Sequence, residues 1–362
     1  MKKIIFNGEY YASQDEPSGI ARVTFEILEE MDKIVNPGEV EILAPRCGFD
    51  KSKFHNIKFV QRGTYGPKDN ERIKRLCRLL WKYVTFPMYC RTRIGGSITV
   101  NTSLVWKMFP FDVMSIYDCT HDLFPQFVAP ESRDWYDKLT ANQLKNCPKA
   151  KLILTDSFCA RKDISKLYHV EENKIMVIPC GWQHFKRINE DDTVIDRFGL
   201  TNKEYFFSLG SRFPHKNIKW VNFAATKNPQ YKFVVTGSTQ GRKDTSFEGD
   251  IPDNMIFTGY LKDEEIKSLM RHCKAFIQPS FYEGFGIPPM EAMSLGADCI
   301  VSTGGSLPEV YKDSVWYIDP YDYENIDLDE IMSRPKASNE LILNEYSWEK
   351  SAKMLLDTLR NM

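Results

Sequence analysis

The chain of 362 residues is long for a single hydrophobic core, so its length favours two domains of ordinary size. A hydrophobic content of 42% and a charged content of 27% are typical of a globular protein and exclude long disordered spans. The formal net charge of -1 gives no general attraction to nucleic acid, and no basic stripe is interleaved with stacking aromatics, so we expect no nucleic-acid partner.

In the first half of the chain, short β-branched or aromatic runs alternate with helical patterns. The predicted strands are KIIFNG, VEILAP, IKFVQ, SITVNT, VMSIYD, LILTDS and IMVIPC. The predicted helices lie near 20–33, 70–84, 131–146 and 160–168. This alternation is the signature of βαβ units, so it predicts a mostly parallel sheet.

The second half repeats the same α/β pattern. Its predicted strands are YFFSLGS, KFVVTGS, MIFTGY, AFIQPS, CIVST and VWYID, with helices near 217–227, 263–272 and 288–295. The charged segment GWQHFKRINEDDTVIDRFGLT separates the halves and is interpreted as a linker, and YSWEKSAKMLLDTLRNM is a separate amphipathic helix. We therefore predict two α/β domains with mostly parallel sheets over 1–182 and 183–345, with 346–362 as the C-terminal helix.

The nine cysteines and the lengths of the apolar runs indicate in which cellular compartment the protein is expected. The cysteines are odd in number and scattered, with no C-x-x-C pair and no zinc spacing, so they indicate reduced thiols in a cytoplasmic protein. The N-terminal apolar run is too short for a signal peptide. No run of about 18 apolar residues is available to span a membrane.

Small or turn-forming residues follow the predicted strands of the second half. Ligands of parallel sheets bind beyond the carboxyl ends of the strands, so a phosphorylated ligand could approach this edge closely. Any one of these residue pairs, taken alone, is equally typical of an ordinary turn. The pairs are Gly210-Ser211, Gly237-Ser238, Gly259-Tyr260, Pro279-Ser280 and Ser302-Thr303.

The stretch FIQPSFYEGFGIPPMEAM, residues 276–293, sets Glu283 and Glu291 eight positions apart around two glycines. Adjacent prolines suit the first turn of a helix, and we expect the amides before them to favour a phosphate. Carboxylates repel phosphate but accept hydrogen bonds from hydroxyls, so the two glutamates fit a sugar and a ribose on either side of a diphosphate. The alternative is that Glu291 is a first-turn residue that complements the helix dipole and Glu283 is a solvated loop acid.

A second basic turn, SLGSRFPHKNIKW at 208–220, follows another predicted strand. It contains Arg212, His215 and Lys216. Arginine forks two hydrogen bonds to a diphosphate and lysine adds a point charge, so both fit the negative charge of a departing nucleotide. Basic residues at a surface turn are otherwise simply solvated.

Over roughly residues 204–322 the sequence resembles the retaining glycosyltransferases of family 4. The resemblance rests on the E-x7-E motif from Glu283 to Glu291, on STGGSLPEV and on IDPYD. Weaker similarities are SGIARV, YDCTHDLFP and LTDSFCARKDI in the first half. It implies the GT-B fold, in which two Rossmann-like domains face each other and the C-terminal helix returns to the first domain.

The resemblance also implies roles for individual residues. Glu283 would lie beside the donor sugar, Glu291 would bind the ribose, and Arg212 with Lys216 would hold the diphosphate. His121 would lie near the transferred sugar, and the less favoured alternative is that it is only a polar loop residue. The implied donor-binding residues are Gly19, Gly210, Ser211, Gly237, Tyr260, Leu261, Gly284, Phe285, Gly286, Ile287 and Glu291. Many family members have arginine where this chain has Ser211, so Lys216 is the firmer assignment.

The implied reaction is a front-face transfer in which the leaving diphosphate takes the acceptor's proton, so no side-chain base is required. We expect no metal and no cofactor. Asp327 and Asp329 form a D-x-D triplet, but they lie in an acidic segment beyond the matched cleft elements.

The acceptor is expected to bind the first half of the chain. The stretch ERIKRLCRLLWKYVTFPMYCRTR has seven basic residues between Arg72 and Arg93, with Leu76, Leu79, Leu80 and Trp81 in its helical part. It predicts either docking on an anionic membrane surface, which would present a lipid-linked acceptor, or a core-facing stripe with a solvated basic back.

Three functions remain open at this point. The first is a glycosyltransferase that transfers a hexose, with mannose from GDP-mannose as the first hypothesis and galactose, glucose or rhamnose as alternatives, to a glycan or lipid-linked glycan of a surface polysaccharide. The second uses the same fold for epimerisation or phosphorolysis of a sugar. The third is a non-catalytic nucleotide-sugar-binding protein.

Overall fold

The structure of the protein is a computed structural model that describes residues 2–12, 19–64, 66–67, 70–92, 96–102, 111–210, 213–237 and 251–362. Within these residues, short apolar runs form two separate parallel sheets, as the alternating pattern predicts. Their strands are largely buried, because helices cover the faces of a parallel sheet.

In the described residues the first sheet has seven strands in the order β3-β2-β1-β4-β5-β6-β7. They are β1 (Lys3–Asn7), β2 (Val40–Arg46), β3 (Lys58–Thr64), β4 (Ser97–Asn101), β5 (Val113–Ser115), β6 (Leu152–Thr155) and β7 (Ile175–Val177). The helices of this domain are α1 (Glu9–Ala12), α2 (Gly19–Asp32), α3 (Glu71–Leu80), α4 (Phe86–Arg91), α5 (Thr120–Leu123), α6 (Pro130–Asn146) and α7 (Phe158–Tyr168).

The second sheet has six strands in the described residues, in the order β10-β9-β8-β11-β12-β13. They are β8 (Tyr205–Leu209), β9 (Lys232–Thr236), β10 (Met255–Phe257), β11 (Ala275–Gln278), β12 (Asp298–Ser302) and β13 (Trp316–Ile318). The helices that follow β7 are α8 (Thr193–Arg197), α9 (Ile218–Lys227), α10 (Asp263–His272), α11 (Ile287–Met293), α12 (Leu307–Tyr311), α13 (Leu328–Ser333), α14 (Asn339–Glu345) and α15 (Trp348–Arg360).

The C-terminal helix α15 returns to the first domain, as predicted. It packs against α2, and its apolar side chains Leu355, Leu356 and Leu359 are fully buried. The guanidinium of Arg360 donates from Nε and Nη2 to the two carboxylate oxygens of Glu39, at 2.7 and 2.9 Å. The helix that ends the chain therefore completes the core of the domain that begins it.

The charged segment between the sheets joins the two domains but is partly buried. A 3-10 turn over Gln183–Arg187 places His184 and Phe185 in the interior, and Val194 of α8 is buried as well. Its role as the linker stays a prediction, and these three side chains show that the segment is not fully solvated. The domain boundary at residue 182 stays a prediction, and it falls between β7 and β8.

The basic amphipathic stretch is a helix over α3, a π-helical turn at Trp81–Thr85 and α4. The core-facing interpretation of its leucines is wrong, because Leu76, Leu79 and Leu80 are 57, 42 and 51% exposed. In contrast to these three leucines, Trp81 is buried. The described residues contain no helix that is both long and apolar enough to cross a bilayer.

Candidate functional site

The two central strands of the second sheet place the candidate site. β8 and β11 are neighbours in the sheet, although β9 and β10 lie between them in the sequence. The strand order reverses at this point, which is where open α/β sheets form a binding crevice. Lys216 follows β8 and Glu283 follows β11, so the topology brings the two segments together.

Lys216 and Glu283 form a two-pronged ion pair. The Lys216 ammonium donates to Oε1 and Oε2 of Glu283 at 2.8 and 3.0 Å, and the Ser280 hydroxyl donates to Oε1 at 2.6 Å. Burial raises the pKa of Glu283, but the charges of Lys216 and His215 and the hydrogen bonds outweigh it and lower the pKa. The site therefore holds an ionised carboxylate in direct contact with the ammonium group of Lys216.

The second glutamate is held by different groups. His184 Nε2 lies 2.8 Å from Glu291 Oε1, and the indole N–H of Trp348 donates to His184 Nδ1 at 3.1 Å. An indole nitrogen only donates, so Nδ1 is the acceptor and the imidazole proton lies on Nε2, where it is donated to Glu291. All three side chains are buried. The linker and α15 thus position a carboxylate on α11.

Arg22 reaches the same carboxylate from the first domain. Its Nη1 lies 3.7 Å from Glu291 Oε1, and its Nη2 donates to Asp263 Oδ2 at 2.6 Å. Burial lowers the pKa of Arg22, but the charges of Glu291 and Asp263 outweigh it and the pKa is raised. A permanent positive charge therefore bridges the two domains beside Glu291.

The two glycines of the motif are required by packing. A Cβ on Gly284 would lie 2.1 Å from the backbone oxygen of Tyr117, which belongs to the first domain. Gly286 has a φ of +80°, and a Cβ there would lie 2.6 Å from Leu307 Cδ2. Bare backbone at these positions thus lets the two domains approach and lets the chain turn into α11.

These groups surround a cleft of about 340 Å³ between the domains, within the volume range of small-ligand sites. It brings together many of the residues that the sequence predicts, namely Gly19, Lys216, Glu283, Gly284, Phe285, Gly286, Ile287 and Glu291. The cleft is also lined by Arg22, Tyr117, Asp118 and Asp156, which the sequence analysis missed.

Other predicted residues lie elsewhere. His121 lines a second cavity, of about 720 Å³, where its Nε2 lies 3.0 Å from Asp122 Oδ2. Tyr117 and Asp118 are the residues after β5 that line the cleft. Arg212 and Ser211 lie outside the described residues.

The remaining predicted donor-binding positions lie around the ends of β8, β9 and β10. Gly210 lies against the Lys216 side chain, and the Gly237 amide donates to the Gly259 oxygen at 2.9 Å. Tyr260 is exposed, whereas the Leu261 side chain is buried in the core. Their roles in donor binding stay predictions.

Two further contacts join the domains beside the cleft. The Ser157 hydroxyl, which precedes α7, donates to the backbone oxygen of Gly284 at 2.6 Å. The carboxylate of Glu309 accepts from the backbone amides of Phe158 and Cys159, both at 2.8 Å, across the domain boundary. The structure is thus a closed arrangement of the two domains.

The D-x-D triplet has structural partners. The side chain of Asp327 accepts from the Glu330 amide and caps α13, and Asp329 accepts from the hydroxyl of Tyr231 at 2.6 Å. Neither aspartate lines the cleft.

Solved structures share this architecture over the whole chain. Sucrose-phosphate synthase from Thermosynechococcus elongatus aligns with a TM-score of 0.73 at 17% identity, covering 100% of this chain and 99% of that chain. HepE from Anabaena, in complex with UDP and glucose, aligns with a TM-score of 0.71 at 14% identity over all of both chains. The fold is GT-B.

The second domain of this GT-B chain also matches a sequence family. Residues 191–348 match the family described as "Glycosyl transferases group 1", so a domain of that family is present. Among curated proteins, the chain is 29% identical over 228 residues to "O-antigen chain mannosyltransferase B" from Escherichia coli. It is 28% identical over 210 residues to "O-antigen chain mannosyltransferase RfbU" from Salmonella typhimurium.

These alignments cover 60 and 56% of this chain. They span 58 and 56% of the lengths of the two relatives.

Proposed function

We propose that the protein is a retaining glycosyltransferase. It transfers a hexose from a nucleotide sugar to a glycan or lipid-linked glycan during assembly of a surface polysaccharide. The observation that supports this most is the partly buried ion pair of Lys216 and Glu283, set at the reversal of strand order and facing the first domain across a closed cleft. The names of the two mannosyltransferase relatives support the same class of reaction.

The cleft offers separate groups for the charged and the uncharged parts of such a donor. The ammonium of Lys216 would stabilise the negative charge that grows on the diphosphate as the bond to the sugar breaks. Arg212, which the sequence predicts for the same task, would add a forked cation. Glu283 would accept a hydrogen bond from a sugar hydroxyl, and Glu291 from the ribose.

In this reaction the acceptor hydroxyl attacks the anomeric carbon from the face that the nucleotide leaves. The bond from that carbon to the diphosphate oxygen breaks, and the departing oxygen takes the acceptor's proton. No side-chain base is then required. The residues of the chain bind the donor, orient it and stabilise charge.

Mannose from GDP-mannose is the donor that we propose first, because the two curated relatives described above are named mannosyltransferases. Galactose, glucose and rhamnose donors are the alternatives, since one or two hydroxyl contacts set this choice. HepE is described with UDP and glucose, but at 14% identity this similarity supports the fold alone.

The test is a panel of nucleotide sugars incubated with the purified full chain, followed by release of nucleoside diphosphate. We expect hydrolysis of one donor well above the others, and an α-linked product from an α-linked donor once an acceptor is supplied. Release from none of them, combined with thermal stabilisation by a nucleoside diphosphate, would favour the non-catalytic binding protein. Inversion at the anomeric carbon would contradict the retaining mechanism.

The lipid-linked acceptor is supported by a surface of the first domain. Ile73, Leu76 and Leu80 recur at helical spacing on α3, and each is roughly half exposed. Arg72, Arg75 and Arg91 of the same stretch are exposed too, whereas Arg93 lies outside the described residues. Apolar side chains that project from a basic helix suit an anionic bilayer surface. We infer that this helix docks there.

Vesicle sedimentation tests this docking. The full chain should bind vesicles that contain phosphatidylglycerol more tightly than phosphatidylcholine vesicles, and less tightly as salt rises. A variant with Ile73→Ser, Leu76→Ser and Leu80→Ser should lose this binding, whereas the matched control Leu341→Ser, at another exposed leucine, should keep it. If the triple variant instead turns a dimer into a monomer and binds vesicles normally, the face is a contact between copies.

A further inference from the structure

Three residues of the first domain face the motif loop across the cleft. Tyr117 and Asp118 follow β5, and Asp156 follows β6. The two strands pair in parallel, so their carboxyl ends meet at the same edge. The next residue, Ser157, bonds the Gly284 oxygen and fixes this edge against the loop that contains Glu283.

Asp156 is the unusual member of this edge. Asp156 lines the cleft although it is only 6% exposed, and its buried Oδ1 has no hydrogen-bond partner among the described residues. Buried carboxyl oxygens are normally bonded, so an unpartnered one beside a ligand cavity is best explained by a ligand group. Burial raises the pKa of Asp156, and the negative charge of Asp118 raises it further.

The chemistry of this edge selects an alcohol as that group. A diphosphate oxygen is negatively charged and would be repelled by Asp118 and Glu283, which lie close enough to influence Asp156. A hydroxyl is neutral and both donates and accepts. A buried carboxyl pairs with it in either protonation state. The cations of the cleft, Lys216 and Arg22, are the groups that suit the diphosphate.

We propose that Asp156 binds a hydroxyl of the sugar that the nucleotide carries, so that the first domain takes part in recognising the donor sugar. This inference rests on the proposed function. It assigns no proton transfer to Asp156. It makes Asp156 a specificity residue on the wall opposite Glu283, and predicts that sugar recognition requires the closed arrangement of the domains.

Calorimetric titration of the full chain separates the sugar from the nucleotide. The probes are the nucleotide sugar that the donor panel selects and its nucleoside diphosphate. Asp156→Ala should weaken binding of the nucleotide sugar by about tenfold, the typical cost of one buried hydrogen bond, and leave binding of the nucleoside diphosphate unchanged. Asp156→Asn, which keeps a donor and an acceptor, should retain most of the affinity.

The matched control is Asp163→Ala. Asp163 is another acid of the first domain at the domain boundary, where it accepts from the Tyr282 hydroxyl at 2.7 Å, but it does not line this cleft. We expect this variant to change the two affinities by the same factor. Thermal melting of each variant establishes that it folds, and Asp156→Asn keeps the test valid if Asp156→Ala does not.

Deoxy donors identify the hydroxyl. Removing the partner hydroxyl from the donor should cost the wild-type chain about as much as Asp156→Ala does, and should cost the Asp156→Ala variant almost nothing further. The proposal is overturned if Asp156→Ala weakens both probes equally, or if it changes only the KM for the acceptor. Absence of nucleoside diphosphate binding by the wild-type chain would instead contradict the proposed function.

Discussion

The two glutamates of the cleft belong to one continuous segment, yet they are stabilised in opposite ways. Glu283 pairs with the ammonium of Lys216, which comes from the same domain. Glu291 accepts from the imidazole of His184, and the nearest guanidinium nitrogen, from Arg22 of the other domain, is 3.7 Å away. One carboxylate is therefore balanced by a full charge in direct contact, and the other mainly by a neutral donor.

This difference suggests how the two ends of the cleft respond to domain motion. The pair of Lys216 and Glu283 forms within the second domain and should persist when the domains separate. The surroundings of Glu291 include the linker, α15 and the first domain, so they change when the domains move. The pair of Lys216 and Glu283 should thus be preformed, whereas the ribose end, and the proposed contact of Asp156 with the sugar, should depend on closure.

The largest effect is expected for Lys216→Ala. Loss of the cation should lower kcat by about 10²-fold or more, because charge on the leaving diphosphate is no longer stabilised. Steady-state kinetics with the preferred donor measures this. Lys219→Ala is the matched control, since Lys219 is exposed on α9 and lies over the rings of Phe223 and Tyr323. Turnover near that of the wild type in Lys216→Ala would remove this role.

Glu291→Ala tests the ribose end of the cleft. It should weaken binding of the nucleoside diphosphate by about 10- to 100-fold, the usual cost of hydrogen bonds to a charged group, and leave kcat at saturating donor within a few fold. Calorimetry with the nucleoside diphosphate gives the affinity directly. A fall in kcat as large as that of Lys216→Ala would contradict a role for Glu291 in nucleotide binding alone.

Trp348→Phe should have a smaller effect at the same end. The indole N–H of Trp348 fixes the tautomer of His184 that has its proton on Nε2. Without it, the tautomer with the proton on Nδ1 becomes accessible, and in that tautomer Nε2 can no longer donate to Glu291. We expect nucleoside diphosphate affinity to fall about fivefold, with kcat unchanged. Trp316→Phe is the control, because it removes an indole hydrogen bond of 2.8 Å to the Arg334 oxygen, remote from the cleft. Equal losses in both variants would indicate general destabilisation.

The smallest effect concerns the pH dependence of stability. The pKa of Glu283 is lowered from its ordinary value of 4.5, so its ionised form stabilises the folded state above that pH. This contribution is lost as the pH falls through the folded-state pKa. Lys216→Met removes the cation, so burial should raise the pKa of Glu283 and reverse its contribution. Urea unfolding of both chains between pH 7 and pH 3 measures these contributions, and identical pH profiles would contradict the assignment.

The strands of both sheets could be predicted from the sequence, because each is a short apolar run followed by turn-forming residues. The helices α5, α8, α12 and α13 could not, because elements of four to six residues are too short to show a helical period. Amphipathicity alone also misleads. The helices α3 and α15 have similar patterns, but α15 buries its leucines and α3 exposes them.

The candidate site divides in the same way. Lys216, Glu283 and Glu291 could be found because each follows a predicted strand in a recognisable local pattern. His184, Asp156 and Arg22 could not, because their significance comes from distant partners: His184 and Glu291 are 107 positions apart, and His184 and Trp348 are 164 apart. Local sequence thus specifies the binding loops, whereas only the folded chain specifies what surrounds them.

The contact of Glu309 with α7 has a consequence for how the two lobes part. A carboxylate of the second lobe satisfies the first two amides of a helix in the first lobe, so separating the lobes leaves those amides to solvent. The first lobe is therefore incomplete on its own, because the second lobe supplies the side chain that caps the N-terminus of α7. In a first lobe expressed alone, the N-terminus of α7 should fray at Phe158. In the whole chain, this contact should oppose separation of the lobes even without a ligand.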